Sequence, residues 1–110
     1  MTIRLVLALT ALIAAPGAYA HAHSAHVDES NPDAWKIKLC NRMSDVALQA
    51  LGERDKGKPM KLQEENGEQA QLANAIIRQI YAEPQVSSPK KAMVFGRGKC
   101  NEFLESRDGR

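Results

Sequence analysis

The chain has 110 residues, 15 Lys and Arg against 13 Asp and Glu, and a formal charge of +2. So small an excess excludes strong whole-surface attraction to nucleic acid or anionic lipid, and an aromatic content of 5% leaves no stacking platform for bases. The length suffices for one domain and not for two.

Residues 1–20 read as a signal peptide. Met1 and Arg4 give a positive start, Leu5 to Ala15 is apolar apart from one threonine, and Ala18-Tyr19-Ala20 is a small-x-small cleavage site. The apolar run is too short to span a bilayer, which takes about 20 residues. Cleavage after Ala20 leaves a 90-residue mature chain, His21 to Arg110. No cysteine precedes Cys40, so a lipid-modified amino terminus is excluded.

Residues 21–31 form a polar leader without periodicity, expected to be disordered. The helical domain is expected over residues 32–105. Asn31-Pro32-Asp33 is a helix start, with Asn31 as cap and Pro32 in the first turn. Leu39, Cys40, Met43, Val46, Ala47, Ala50 and Leu51 recur at spacings of three and four, which puts them on one helical face. Gly57 and Pro59 stop this first helix near Lys56.

A charged connector follows, in which Met60 and Leu62 are candidates to tuck against the core. Asn66 and Gln69 predict a capping box for the second helix, with an earlier start near Lys61 as the alternative. Leu72, Ala73, Ile76, Ile77, Ile80 and Tyr81 form its stripe, and Pro84 ends it. Ser88-Pro89 starts the third helix. Its inner face is Ala92, Gly96, Cys100, Phe103 and Leu104, weakened by Gly96 and Gly98 at about 1 kcal/mol each. Residues 106–110 are expected to fray. Short connectors predict antiparallel neighbours, so the first and third helices would run parallel.

The two cysteines, in a small exported chain, read as one intramolecular disulfide between Cys40 and Cys100. Reactive thiols or an intermolecular bridge are the rival readings. Export removes the reducing environment that free thiols need. The fold class is therefore an all-α three-helix domain stapled by one disulfide, with a disordered N-terminal leader.

Chemistry-bearing residues are few. All three histidines lie in the leader, so the body has no histidine base. No nucleophile elbow, zinc-binding H-E-x-x-H, phosphate loop or calcium loop occurs. An enzyme is not expected and no cofactor is required. Cleavage after Ala20 would, however, create the terminus His21-Ala22-His23. Its amine, two backbone amides and third-position imidazole make a square-planar nitrogen set suited to Cu(II) or Ni(II). A copper brace on His21 would need a further histidine from the body, and none follows His26. The C-terminal third is mildly basic, Lys90, Lys91, Arg97, Lys99, Arg107 and Arg110 opposing Glu102, Glu105 and Asp108, which suits an acidic partner, an anionic surface or simple solvation. Trp35 either plugs the end of the core or anchors a binding surface, and with so few aromatics the core is the expectation.

Cys40-x-x-Met43, the Arg54-Asp55-Lys56-Gly57-Lys58-Pro59 turn, Ile76-Ile77 through Ile80-Tyr81 with Pro84, then Phe95 and Cys100, resemble a family of small exported proteobacterial "hypothetical" proteins of no characterised activity. The likeness spans Leu39 to Phe103. It implies a periplasmic or secreted helical domain with paired cysteines, and it brings no activity. A weaker likeness is to periplasmic acid-stress chaperones, similar in size, helical, with one disulfide and a tryptophan shortly before the first cysteine. Such proteins loosen in acid and expose apolar surface. These readings converge on an exported non-enzymatic interaction module that binds an unidentified envelope protein or component. Metal binding through His21, Ala22 and His23 is the alternative from a different class.

Overall fold

A computed structural model describes residues 26–108. Three helices follow in order, α1 (Ala34–Asp55), α2 (Glu68–Ala82) and α3 (Pro89–Asp108), and no strand occurs among the described residues. The signal peptide and most of the leader, His21, Ala22 and His23 included, lie outside the described residues. The described end of the leader is ordered. Asp28 accepts hydrogen bonds from the Ser30 amide and hydroxyl, and the Asn31 amide donates to the Asp28 carbonyl.

The periodic stripes become the core. Leu39, Cys40, Met43, Ala47, Ala50 and Leu51 of α1 are buried against Ala73, Ile76, Ile77 and Ile80 of α2 and Ala92, Cys100 and Leu104 of α3. Val86, in the turn before α3, joins them.

Helix ends follow the local chemistry in most places. Asn31 does not cap the helix itself: it closes the turn before it, accepting a hydrogen bond from the Asp33 amide at 2.8 Å, and α1 begins at Ala34 with Asp33 at the cap position and no side-chain cap bond. The exit of α1 is a Schellman turn: the Lys58 amide donates to the Glu53 carbonyl and the Gly57 amide to the Arg54 carbonyl, with Gly57 at φ 79°. Ser88 caps α3 through the Lys91 amide at 3.2 Å. The capping box expected for α2 does not form. Gly67, at φ 127°, takes the cap position without a side-chain bond, and Gln69 instead accepts a hydrogen bond from Arg42 of α1. The helix α3 runs past residue 105 to Asp108, because Lys36 bonds Asp108 and Glu68 bonds Arg107.

The helix directions differ from expectation. Lys36 meets Asp108, Cys40 meets Cys100, and the Ser44 hydroxyl reaches the Met93 carbonyl, so α1 and α3 are antiparallel. Arg42 meets Gln69 and Arg54 meets the Ile80 carbonyl, so α1 and α2 run parallel. The connector is the physical reason. Residues 56–67 contain no helix and fold back along α2. The Tyr81 hydroxyl donates to the Lys58 carbonyl, and the Asn74 amide group both accepts from the Gln63 amide and donates to the Gln63 carbonyl. Twelve residues span up to about 40 Å when extended, against about 22 Å for a helix the length of α2. The chain therefore returns to its starting level before α2 begins. Leu62 of this return segment packs against the core, whereas Met60 stays exposed.

Candidate functional site

The one predicted site pair that falls within the described residues is assembled. Cys40 and Cys100 form a disulfide with Cα atoms 5.3 Å apart, and both are buried. The antiparallel α1 and α3 bring position 40 beside position 100. Close approach is secured by small residues. A Cβ placed on Gly96 would lie 2.5 Å from the Met43 carbonyl oxygen and 2.9 Å from the Ala47 Cβ. Gly96, read from the sequence as a helix weakness, is therefore the contact point that lets the two backbones meet. Gly98 has open space around it.

Trp35 departs from expectation. It is 44% exposed, because Ala34 occupies the inward position at the start of α1. Lys36 lies 5.8 Å from the Trp35 ring centre, and the Arg107 guanidinium lies 5.7 Å from both the Trp35 and Phe103 rings. This end of the molecule is charge-compensated. Lys36 pairs with Asp33 and Asp108, and Arg107 pairs with Glu68. The Asp108 hydrogen bond holds the Lys36 ammonium above the ordinary lysine value. The Ser30 side-chain and backbone hydrogen bonds hold Asp28 below the ordinary carboxylate range.

Arg54 was not singled out by sequence reasoning as a builder of tertiary structure, yet it locks the far end of the bundle. Its guanidinium donates to the carbonyls of Ile80 (2.7 Å), Glu83 (3.1 Å) and Val86 (2.7 Å). It thereby satisfies the last carbonyls of α2 and the turn into α3. The Arg54-to-Gly57 motif is thus architectural: one residue clamps a turn and another reverses the chain.

The surface of the described residues includes three shallow grooves. Two flank the return segment. One, of about 540 Å³, lies between it, α1 and the Ile77–Tyr81 side of α2. The other, of about 570 Å³, lies nearer Arg42 and Gln69. The third, of about 390 Å³, lies between α1 and α3 over Ser44, Met93 and Gly98. Among the described residues no group of three His, Cys, Asp or Glu side chains could hold a metal ion, and no helix is long and apolar enough to cross a membrane.

Fold and site together define a small all-α domain whose first and last helices are joined by a buried disulfide. Comparison with protein-family models, with curated proteins and with solved structures finds no match to this chain.

Proposed function

We propose that this protein is an exported, non-enzymatic interaction module of the cell envelope, of the kind the small exported proteins it resembles would represent. The observation that supports this reading is the buried Cys40–Cys100 disulfide between α1 and α3. A disulfide of this kind persists in an oxidising compartment. It also fixes the two helices that pack most extensively, so the surface they share is pre-organised, and pre-organisation reduces the entropy a binding partner must overcome.

The test is fractionation of a proteobacterial host expressing the full chain, with mass spectrometry of the recovered protein and site-specific photo-cross-linking from exposed positions. The reading predicts a periplasmic or secreted form beginning at His21, with both sulfurs oxidised and a saturable adduct from at least one surface. Retention in the cytoplasm with free thiols, or no saturable adduct from any face, would contradict it.

A further inference from the structure

Before its first carboxylate, Glu102, α3 carries four cations, Lys90, Lys91, Arg97 and Lys99. Among the described residues, no carboxylate lies within 4.0 Å of the charged nitrogens of Lys90, Lys91 or Arg97. Arg97 is held by a neutral partner, donating to the Asn41 side-chain oxygen at 2.9 Å. By contrast, Lys99, on another side of the helix, pairs with Glu102.

Val94 sits in the middle of the uncompensated group. Positions 90, 91, 94 and 97 share one helical face by their spacing of three and four. Val94 is 64% exposed, more than any other large hydrophobic side chain among the described residues. Beside it is the groove of about 390 Å³, floored by Met93 and Ser44 and left open by the missing side chain of Gly98.

We propose that this α1/α3 face is a docking surface for an acidic, apolar-tipped helical segment of a partner protein. The proposal rests on the interaction-module reading and names the partner's chemistry. Unpaired cations around an apolar centre are complementary to carboxylates around an apolar side chain. Among the described residues no carboxylate compensates their charge in the free protein, so a partner's carboxylates meet no competing intramolecular ion pair, only the neutral Asn41 bond to Arg97. The shape selects between anionic partners. A concave groove between two helices accepts a protruding side chain, whereas a membrane surface needs a broad convex apolar face that one valine does not supply.

The probe is an alanine-based helical peptide with glutamates flanking a central leucine, titrated into the folded full-length mature protein and followed by NMR. Its counterpart carries lysine in place of glutamate. The expected result is saturable binding of the acidic peptide, with shifts centred on Lys90, Val94 and Arg97. Affinity should fall about tenfold or more in K90E/K91E and on raising salt. The variant Gly98→Leu adds a side chain into open space and should fold, yet fill the groove and cost a comparable factor.

Equal binding of the lysine peptide, shifts centred on Trp35 or Tyr81, or no binding at all overturns the assignment. So does co-sedimentation with phosphatidylglycerol vesicles in place of peptide binding. Concentration-dependent self-association abolished by K90E/K91E overturns it too, in favour of a second copy. If these outcomes coincide with a saturable envelope adduct from the Trp35 or Met60 face, the docking assignment fails alone. If no face gives one, the interaction reading fails with it.

Discussion

Gly96 and Gly98 lie two positions apart on α3 and meet opposite surroundings. At Gly96 an added methyl would strike the Met43 carbonyl and the Ala47 side chain, atoms that cannot move without shifting α1. We expect Gly96→Ala to lower stability by about 1–3 kcal/mol despite the gain in helix propensity. Gly98→Ala meets nothing within 4 Å and should raise stability by about 0.5–1 kcal/mol. Chemical denaturation of both variants checks the pair, and two changes of the same sign would contradict the packing described. Arg54 makes a comparable distinction. Its planar fork reaches three carbonyls, so Arg54→Ala should cost about 2 kcal/mol or more and Arg54→Lys should restore less than half. Processing after Ala20 would make His21-Ala22-His23 the amino terminus. That terminus should take one equivalent of Cu(II) with a square-planar visible spectrum, and His23→Ala should remove it. An unchanged titration in that variant would end the metal reading.

At the scale of elements, the apolar stripes of all three helices were legible, because a period of three to four residues survives in any helix with one buried face. Gly57 as a stop and Ser88 as a start were legible for the same local reason. The relative direction of α1 and α2 was not. It is decided by residues 56–67, whose return path depends on long-range bonds from Tyr81 and Asn74 to backbone atoms. No residue pattern in the connector announces those bonds. Trp35 was misplaced because hydrophobicity alone does not say whether Ala34 or Trp35 faces inward at the first turn. The exposed Val94 face lay within reach of a helical wheel; only the missing carboxylate partners required the structure. The return segment gives its own expectation. Asn74→Ala removes both bonds to Gln63, so amide exchange of residues 60–66 should accelerate while the helices stay protected. Equal protection in both proteins would mean that Leu62 and Tyr81 suffice to hold the segment.

For the whole molecule, titration and covalent closure bear on different pH and redox conditions. The core of described residues is apolar except for Ser44, and its carboxylates lie outside that core. The contribution of Asp28, whose folded value is depressed, is present above the unfolded carboxylate value and lost as pH falls through the folded one. The contribution of Lys36, whose folded value is raised, is present below the unfolded lysine value and lost as pH rises through the folded one. Both windows lie outside about pH 5–9, so the thermal midpoint should be nearly flat across that range. A steep fall between neutral pH and about pH 5 would instead favour the acid-loosening behaviour of stress chaperones. The disulfide closes a loop between positions 60 apart in sequence, for which chain entropy gives about 4 kcal/mol. That is a large part of the roughly 5–10 kcal/mol expected for a domain of this size. The most direct test is therefore non-reducing peptide mapping, with thiol quantification, of protein recovered from its native compartment. A single Cys40–Cys100 linked peptide and no free thiol is the predicted result. Free sulfurs, or a bridge between two chains, would contradict the fold and the export proposed for this protein.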